Sequence, residues 1–466
     1  MRKATHLQFD QGTLVLREWT QAGVESVFGE EHPWKWDQRA DAFRCEAWHY
    51  AAIQARLTLR AWEVEDWASA WPVVDYPENH LPPPRPQQHA AIDHWLPQRR
   101  GVVVMPTGTG KTEVALHLMA RLPVATLIVS PVRDLMYQWH RRIQQGLGYD
   151  AGVIGDNSFD VRPVSVTTYD SAAIHAATLG NRFQLLIFDE CHHLPGEFRR
   201  DAARMSLAPW RLGLTATPER SDGRQADLSW LIGPTVYNLP LAEVSGTVLA
   251  DYEVFRIPVY LNAQEQTRYD QLSNTVRDYV YQRKQEDPLF RWSELCAESA
   301  LDPSARAAVA AFRQKQSIED RASEKLRVLE DLFRLHRGTP MIVFTGSNAM
   351  AFEISRRFLL PCLLSHCGKK ERAEILGGLQ DGSYPAVIAN QVLDEGVDMP
   401  AVKVAVVVGG SASTKQARQR LGRILRRTGD AIAVLYEVIC SDTNEAIKSR
   451  RRRKNDAYER TRHRRS

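Results

Sequence analysis

Two short motifs carry residues whose types and spacing suit phosphate chemistry. The first reads Pro-Thr-Gly-Thr-Gly-Lys-Thr over 106–112, between an apolar run, GVVVM, and a helical pattern, EVALHLMARL; Met105 replaces the first glycine of the general G-x-x-x-x-G-K-T spacing. Glycines let backbone N–H groups wrap a chain of phosphates at the positively polarised start of a helix. Lys111 can then reach the outer phosphates, and Thr112 can offer its hydroxyl to Mg²⁺. We predict that a nucleoside triphosphate binds here, at Thr107, Gly108, Thr109, Gly110, Lys111 and Thr112.

The second motif is an acidic pair, Asp189-Glu190, which ends the apolar run LLIFD and precedes Cys191-His192-His193. A carboxylate at the C-terminal end of a strand, facing a phosphate-binding loop, is placed to hold Mg²⁺. We predict that Asp189 holds the metal through water, together with Thr112. Glu190 is then the general base that orients an attacking water. A solvated acidic turn is the alternative, and the phosphate-binding loop upstream argues against it.

The elements that must position these motifs follow a strand, loop, helix order over residues 87–245. GVVVM, ATLIVS, VSVTTY, LLIFDE and RLGLTAT are short, β-rich apolar runs with helical patterns between most of them. Such runs are typical of buried strands in a parallel sheet. The alternation returns in PMIVFTG, CLLSHC, AVIAN, VKVAVVVGG and DAIAVLYEVI, which predicts a second α/β lobe. Between the two series of apolar runs, residues 263–335 are polar and helical in pattern.

Shifts in composition indicate the domain organisation. Residues 1–80 hold seven of the twelve tryptophans, and the alternation in TLVLREW and RLTLRAWEV predicts a small α+β domain. Its tryptophans either fill a core or stack on bases, and the core is the more common role. The proline-rich stretch 77–86 predicts a linker. We assign one lobe to 82–245, a second lobe containing the helical stretch to 246–447, and a basic tail to 448–466.

Charge and composition limit the class of protein. The chain of 466 residues has a net charge of +4, but the tail holds ten Lys or Arg against two acidic residues, so the remainder carries −4. Such a tail attracts polyanions without selecting among them, or is simply a solvated terminus. No apolar run approaches the roughly 18–20 residues that span a bilayer, and the N-terminus lacks a signal-peptide pattern. The six cysteines include no Cys-x-x-Cys pair. We expect a reduced, cytoplasmic protein with no membrane association.

Further motifs appear in an order that resembles the superfamily 2 helicases and translocases. The Asp-Glu-x-His pattern after Pro-Thr-Gly-x-Gly-Lys-Thr is similar to that family's ATP-site motifs. Arg133 belongs to SPVRDL with Gln-Trp shortly after it, which resembles the nucleic-acid-facing loop, and Thr168 in Thr-Thr-Tyr resembles the next contact. The four residues 215–218, Thr-Ala-Thr-Pro, resemble the motif that couples the ATP state to strand binding. Residues 394–400 and 419–426 resemble the last two motifs.

The closest similarity is to the XPB-like helicases, over roughly residues 82–445. It rests on RLGLTATPERSDG at 211–223, on QRLGRILR at 419–426, and on Asp-Glu-Cys-His-His. The resemblance implies two tandem RecA-like lobes, each a parallel sheet with flanking helices, with ATP and Mg²⁺ as ligands and a thumb-like insertion at 263–335. The family's Arg-Glu-Asp triplet reads Arg220-Ser221-Asp222 here, so Ser221 lacks a carboxylate. By its position, the N-terminal domain resembles a DNA-damage-recognition domain.

The second lobe must supply charge for the transferring phosphoryl group. Arg423 and Arg426 lie one turn apart if 416–427 is helical, so they share a face and are the arginine-finger candidates. An arginine finger is worth about 10³–10⁵ in rate and makes hydrolysis depend on lobe closure. The same stretch contributes Gln419 to the nucleotide site.

Other roles are implied residue by residue. Gln88, or its neighbour Gln87, stands where the family reads adenine, and a glutamine amide suits the N6/N7 edge of that base. Arg85, which precedes them, is assigned to the nucleotide site together with Gln88. His192 is expected to hydrogen-bond toward Thr215, Thr217 or Gln419 and so to link the ATP site to the lobe interface. Coupling and nucleic-acid contacts are expected at Arg133, Thr168, His192, Thr215, Thr217, Arg220 and Asp222.

The resulting prediction is an ATP-dependent DNA helicase or translocase that acts in DNA repair or duplex remodelling on single-stranded, forked or distorted DNA. The resemblance implies 3′–5′ polarity. Two alternatives stay open. One is an RNA helicase, because the motor motifs do not select the sugar. The other is a nucleotide-switched DNA-binding platform that recruits a partner, such as a nuclease, without processive unwinding; the serine at position 221 favours it.

Overall fold

The computed structural model describes residues 6–60, 62, 64–69, 71–218, 222–240, 243, 252–364, 366–390, 402–409 and 433–452. The chain divides into two compact units, with the boundary between residues 243 and 244. Several segments that the sequence analysis singled out lie outside the described residues. These are Arg220-Ser221, the motifs at 394–400 and 419–426 with Gln419, Arg423 and Arg426, and residues 453–466 of the tail.

The first unit begins with a small sheet in the order β3-β4-β2-β1-β5. Its strands are β1 His6–Asp10, β2 Thr13–Arg17, β3 Lys35–Asp37, β4 Ala42–Glu46 and β5 Glu65–Asp66. Two helices, α1 Gln21–Phe28 and α2 Tyr50–Leu59, complete the predicted α+β domain, with a 3₁₀ turn at Ala47–His49. The Thr20 hydroxyl accepts a hydrogen bond from the Gly23 N–H, which caps the otherwise unpaired start of α1.

The tryptophans of this domain divide between the two roles that the sequence left open. Trp19 and Trp34 are buried with Leu14, Phe43 and their neighbours in a single core. In contrast, Trp36, Trp62 and Trp67 are at least one-third exposed. Part of the tryptophan content therefore stabilises the domain, and part of it lies on the surface.

The rest of the first unit is built on a sheet in the order β13-β6-β12-β11-β7-β10-β8-β9. All its pairings are parallel except that of the short edge strand β9. The strands are β6 Arg100–Val104, β7 Thr126–Ser130, β8 Gly152–Gly155, β9 Ser158–Phe159, β10 Val164–Thr168, β11 Leu185–Asp189, β12 Trp210–Thr215 and β13 Thr235–Asn238. The helices are α3 Pro86–Trp95, α4 Lys111–Arg121, α5 Arg133–Leu147, α6 Tyr169–Ile174, α7 Ala176–Leu179, α8 Asp201–Arg204 and α9 Leu228–Leu231, with 3₁₀ turns at Cys191–His193 and Arg224–Asp227.

This parallel arrangement gathers the motifs at one edge of the sheet. Strands β6, β7, β10, β11 and β12 all run in the same direction, so their carboxyl ends lie side by side. The phosphate-binding loop follows β6, and Asp189 and Thr215 end β11 and β12. Segments that are distant in sequence therefore meet at the edge where open α/β sheets bind ligands.

The N-terminal domain packs at the opposite edge of the same sheet. Leu207, which precedes β12, is buried in the core of the N-terminal domain. A side chain at Gly12 would meet Met205, because that residue's Cγ lies 2.8 Å from the Cβ position. Arg204 pairs with Glu46 at 3.3 Å, and the Asn181 side chain donates to the Ala68 carbonyl. The domain is thus anchored where the strands begin, away from the phosphate-binding loop.

The proline-rich connection between the N-terminal domain and the first lobe is bonded to the surface of that lobe. Val74 donates to the carbonyl of Pro123 at 3.1 Å, and His80 donates to that of Gly146 at 2.9 Å. Leu81 packs so closely on Gly146 that an added Cβ would lie 2.6 Å from it. Proline fixes the backbone without needing a ladder of its own, and the described residues between the prolines bond to the lobe instead. The connection is a strap along the surface of the lobe.

The second unit has another parallel sheet, in the order β14-β19-β18-β15-β17-β16. Its strands are β14 Tyr252–Val259, β15 Met341–Thr345, β16 Cys362–Leu363, β17 Ala386–Ala389, β18 Val404–Val408 and β19 Ala433–Cys440. The helices are α10 Ala263–Glu286, α11 Trp292–Glu298, α12 Pro303–Asp320, α13 Ser323–Leu335, α14 Asn348–Phe358, α15 Lys369–Gln380 and α16 Asn444–Arg452. Helices α10 to α13 occupy the stretch where the sequence predicts the insertion, and the α/β fold class is confirmed. Within the described part of the chain, no helix has the length and apolar character to span a bilayer.

A buried polar network fastens the helical stretch to this second sheet. The fully buried Lys325 Nζ donates to Glu445 Oε2 at 2.7 Å and to the carbonyl of Glu319 at 2.6 Å. Glu319 in turn accepts from the Tyr269 hydroxyl at 2.7 Å. Glu445 Oε2 also accepts from the backbone N–H of Cys440, the last residue of β19. Since α10, α12, α13 and α16 each contribute a residue, the network fixes their packing together.

We predict that Lys325→Met lowers the free energy of unfolding of the second unit by about 3–5 kcal/mol, because it leaves the Glu445 carboxylate buried without its cation. Arg327→Met is the control, since Arg327 pairs with Glu324 on the exposed face of the same helix and such pairs contribute about 0–1 kcal/mol. Urea denaturation of the full chain compares the two variants. Equal midpoint shifts would show that the buried pair contributes no more than the surface pair.

Candidate nucleotide site

The loop between β6 and α4 has the shape that phosphate binding requires. Gly108 and Gly110 adopt φ values of +87° and +89°, a region that glycine enters without strain. Gly110 directly precedes α4, so the free N–H groups of the first helical turn face the loop. Lys111 is the first residue of α4 and Thr112 the second. The Lys111 ammonium donates to the carbonyl of Met105 at 3.2 Å, which folds the side chain back across the loop.

Gln88 is bonded to this loop through both atoms of its amide group. Its Oε1 accepts from the backbone N–H of Arg85 at 2.8 Å and so caps the start of α3. Its Nε2 donates to the carbonyl of Thr109 at 3.1 Å. A Cβ at Gly110 would lie 2.1 Å from the same Nε2, so a side chain is excluded there. In this structure Gln88 positions the phosphate-binding loop, and its predicted contact with adenine stays a prediction.

Asp189 is buried at the carboxyl end of β11 and is held by three neighbours. Its Oδ2 accepts from the Trp139 indole N–H at 2.8 Å, and its Oδ1 accepts from the backbone N–H of Glu190 at 3.0 Å. Its carbonyl oxygen accepts from the Tyr169 hydroxyl at 3.0 Å. Burial, followed by the charge of Glu190, raises the pKa of the Asp189 carboxyl to about 6, against the opposing effects of Trp139 and Lys111. A divalent cation at this carboxylate would offset both of the raising effects.

Glu190 occupies an unusual backbone conformation. Its φ of +48° places a non-glycine residue in the left-handed region, just before the 3₁₀ turn at Cys191–His193. Such conformations cost on the order of 1–3 kcal/mol and persist where the surroundings enforce them. Among the described residues, Glu190 Oε2 has no hydrogen-bond partner although it is buried. It therefore keeps an acceptor for an outside group, as a general base requires.

His192 is bonded to Thr215, one of the partners that the sequence proposed. The His192 Nδ1 lies 3.0 Å from the Thr215 hydroxyl oxygen, and both side chains are buried. The Thr215 hydroxyl donates to the carbonyl of Thr217 at 2.9 Å and accepts from the Thr217 N–H at 3.1 Å. Because the hydroxyl has a single proton, His192 Nδ1 must be the donor to it. The acidic motif and the Thr-Ala-Thr motif are therefore linked by a directed chain of hydrogen bonds.

Two of the residues predicted to contact nucleic acid, Arg133 and Thr168, follow or end β7 and β10 at the same edge. Arg133 begins α5 and is largely exposed, with its guanidinium paired to Asp156 at 2.6 Å. Thr168 caps α6 by accepting from the Ser171 N–H at 3.3 Å. Asp222 accepts from the Arg224 N–H at 3.2 Å in the described segment after Ser221. Arg133 is the only cation of the three, and its charge is shared with Asp156.

The residues of the first lobe suit a magnesium nucleotide. The hydroxyl oxygens of Thr107 and Thr217 are buried and have no hydrogen-bond partner in the described structure, and the same holds for Oε2 of Glu190. No group of three or more His, Cys, Asp or Glu side chains with metal-site geometry occurs within the described ranges. Mg²⁺ is usually bound by one or two protein oxygens together with substrate phosphates rather than by an all-protein cage. Thr112 and Asp189 match that donor set.

Trp139 and Tyr169 are the site residues that sequence reasoning missed. The sequence analysis placed both in motifs that face nucleic acid, not beside the acidic pair. A signal existed for Trp139, because it lies on the apolar face of α5 with Met136 and Ile143, and a buried indole N–H needs an acceptor. Which acceptor the indole N–H contacts depends on which strand lies beside α5, and the order of strands in the sheet cannot be read from a local sequence pattern.

Comparison with protein-family models matches three segments of the chain. Residues 81–220 match the type III restriction enzyme res subunit, and residues 324–428 match the helicase conserved C-terminal domain. Residues 7–68 match the xeroderma pigmentosum group B helicase damage recognition domain. The last of these covers the small sheet domain with the exposed tryptophans.

The sequence similarity to curated relatives covers most of the chain. The DNA 3′-5′ translocase XPB2 of Sulfurisphaera tokodaii is 38% identical over 428 residues, which cover 90% of this chain and 95% of that protein. The DNA 3′-5′ helicase XPB of Kineococcus radiotolerans is 29% identical, over 78% of this chain and 60% of that protein. Among solved structures, the Hef helicase domain of Pyrococcus furiosus has a TM-score of 0.51 at 16% identity, covering 78% of this chain and 97% of that one. Dbp5 of S. cerevisiae, bound to RNA and ADP BeF3, has a TM-score of 0.53 at 15% identity, covering 80% and 88%. The two structures support the fold.

We predict that Glu190→Gln still binds nucleotide but lowers kcat by about 10²–10⁴, because an amide cannot accept the proton of the attacking water. Lys111→Ala should abolish hydrolysis, since the phosphates lose their main counter-cation. Binding of a fluorescent ATP analogue and release of phosphate separate the two effects. Glu197→Gln, on the surface of the same lobe, is the control. Equal turnover by Glu190→Gln and the wild type would remove Glu190 from the chemistry.

Proposed function

Because the chain belongs to the XPB-type helicase family, we propose that it is an ATP-dependent DNA helicase or translocase of the Asp-Glu-x-His subgroup. The names of its relatives support DNA as the track and 3′–5′ as the polarity. The match of residues 7–68 to a damage recognition domain supports a role in DNA repair or duplex remodelling.

The observation that carries this proposal is the convergence of three motifs at one sheet edge. The phosphate-binding loop, the acidic pair and the Thr-Ala-Thr motif follow β6, β11 and β12, which are neighbours in the sheet. The bond from His192 to Thr215 joins the second motif to the third. An ATP site alone needs only the first two motifs. The bonded Thr-Ala-Thr motif therefore supports a motor in which the state of the nucleotide is transmitted to the DNA-binding surface.

Hydrolysis follows from the chemistry of these residues. Mg²⁺, when bound, neutralises phosphate charge during transfer. Lys111 holds the outer phosphates, and the loop N–H groups orient the chain. Glu190 accepts a proton from the attacking water through the oxygen that has no hydrogen-bond partner within the described structure. Thr112 would supply an oxygen ligand to the metal, and Asp189 would hold the metal through water. Most of the rate then comes from positioning and charge rather than from covalent chemistry.

DNA binding is proposed to use several surfaces. Arg133 and Thr168 would contact the backbone of one strand at the sheet edge. Helices α10 to α13 would provide the thumb-like element, and the basic tail would add affinity that is independent of sequence. The exposed rings of Trp36 and Trp67 would probe unstacked bases, since aromatic rings stack on bases of any sequence.

One experiment tests this function against the two alternatives. ATPase rates are measured with single-stranded DNA, duplex DNA, RNA and no nucleic acid. Unwinding is measured on a tailed duplex, and movement is measured by displacement of a protein bound in the path along the DNA. A DNA motor is stimulated most by DNA. Stimulation by RNA above DNA would identify an RNA helicase. DNA-stimulated hydrolysis without movement or unwinding would identify the binding platform that Ser221 favours, with a nuclease as one class of recruited partner.

We predict that Arg423→Ala and Arg426→Ala leave nucleotide binding within about threefold of wild type while kcat falls by about 10³ or more. Their contact would form only on lobe closure and so would act on the transition state. Lys448→Ala, in the basic tail, is the charge-matched control. Weakened ATP binding with unchanged kcat would make either arginine a ground-state ligand instead.

A further inference from the structure

The peptide unit that joins the two catalytic carboxylates is held at both of its ends. Its carbonyl group, from Asp189, accepts from the Tyr169 hydroxyl at 3.0 Å. Its N–H group, from Glu190, donates to Asp189 Oδ1 at 3.0 Å. Asp189 Oδ2 is then held from a third direction by the Trp139 indole at 2.8 Å. The orientation of both carboxylates therefore depends on two aromatic side chains.

Both aromatic residues lie close in the chain to the residues that would contact DNA. Trp139 follows Arg133 by six positions on the same helix, α5, which corresponds to about 9 Å of helix rise. Tyr169 follows Thr168 directly and is the first residue of α6. Each would connect a DNA-facing helix start to the acidic pair through a single hydrogen bond.

We propose that Trp139 and Tyr169 are positioning residues that couple DNA contact at Arg133 and Thr168 to the geometry of Asp189 and Glu190. This rests on the proposed function, in which those two pairs bind DNA and the magnesium nucleotide. Trp139 holds the metal-side carboxylate, and Tyr169 holds the peptide that aims the general base. A shift of α5 or α6 on DNA binding is transmitted to the acidic pair without an intermediate side chain.

The surroundings make both bonds rigid. Trp139, Tyr169 and Asp189 are buried, so no water competes for the donors. The Arg133 end of α5 is itself fixed, because Asp156 accepts from Arg133 and from the Tyr137 hydroxyl, which lies one turn further along α5. Indole and phenol side chains each have two rotatable bonds, which limits the freedom that could absorb a shift.

The positive φ of Glu190 explains why its peptide needs support from both sides. A non-glycine residue leaves the left-handed region readily unless neighbouring bonds prevent it. If the Tyr169 bond were lost, the peptide could rotate and carry the Glu190 carboxylate away from its position beside His192, where Oε2 lies 3.5 Å from Nδ1. Loss of the Trp139 bond would instead free the Asp189 carboxylate. The two substitutions should therefore affect different kinetic parameters.

Trp139→Phe tests the metal side, with Trp95→Phe as a matched control. Trp95 is also fully buried in the first lobe, but its indole donates to the carbonyl of Arg211 at 3.2 Å, outside the site. For Trp139→Phe, we expect the Mg²⁺ concentration at half-maximal binding of a fluorescent ATP analogue to rise roughly 10–100-fold, the usual effect of losing a partner of a metal ligand. Binding measured in EDTA should not change. Trp95→Phe should match the wild type in both measurements.

Tyr169→Phe tests the side of the general base and removes a single oxygen. Its Mg²⁺ dependence should match that of the wild type. Its stimulation by single-stranded DNA, as the ratio of kcat with and without DNA, should fall by roughly 5-fold or more, within the usual range of coupling. Affinity for the DNA itself should stay within about twofold, because neither aromatic side chain would touch the strand.

The outcomes separate this proposal from the function on which it rests. A wild-type protein without DNA-stimulated, Mg²⁺-dependent hydrolysis would overturn the proposed function. A stimulated wild type, with Trp139→Phe equal to Trp95→Phe in Mg²⁺ dependence, would overturn the metal-side role. Unchanged DNA stimulation in Tyr169→Phe would overturn the coupling, and this measurement decides the matter if Trp139→Phe does not fold.

Discussion

Two adjacent carboxylates at the end of a buried strand impose the main constraint on this protein. Burial, and after it the charge of the adjacent Glu190, disfavours the charged form of the Asp189 carboxyl, as the raised pKa of Asp189 shows. Such a pair persists only if donors and cations surround it. The Trp139 indole and the Glu190 N–H donate to the Asp189 carboxylate, Lys111 adds positive charge, and the Tyr169 hydroxyl donates to the backbone carbonyl of Asp189.

The acidic pair and the N-terminal domain lie at opposite edges of the same sheet. Nucleotide motifs follow the carboxyl ends of the strands, whereas Leu207 and Met205, before β12, pack into the small domain. The strap at 73–82 runs between the two edges, bonded to Pro123 and Gly146 before the chain reaches Gln88. The strap therefore has the N-terminal domain, with its exposed tryptophans, at one end. At its other end is Gln88, which holds the phosphate-binding loop.

Local patterns in the sequence were sufficient to predict the fold class, the phosphate-binding loop and the acidic motif. In each case the strand, the loop that follows it and the chemically active residues lie within a few positions of each other in the chain. Contacts that depend on which strands are neighbours were not predictable in this way. The partner of the Trp139 indole, the use of the Gln88 amide within the protein, and the burial of Leu207 under another domain are of this kind. The contacts of the proline-rich strap with the lobe are of the same kind, since composition describes backbone stiffness and not what the backbone packs against.

In the second unit, buried polar groups also lie at the end of a strand, β18. Gly409 follows β18 with a φ of +75°, and a Cβ there would lie 3.1 Å from Asp320 Oδ1 and 3.6 Å from Glu445 Oε1. Glu445 is the carboxylate that Lys325 neutralises, and Asp320 ends helix α12. A buried charge pair therefore joins the helical stretch to the strand end that leads toward the segment of Arg423. In both units, buried polar bonds connect elements proposed to face DNA with strand ends proposed to face nucleotide. Apolar packing alone would hold those elements together without fixing their orientation, because it is non-directional.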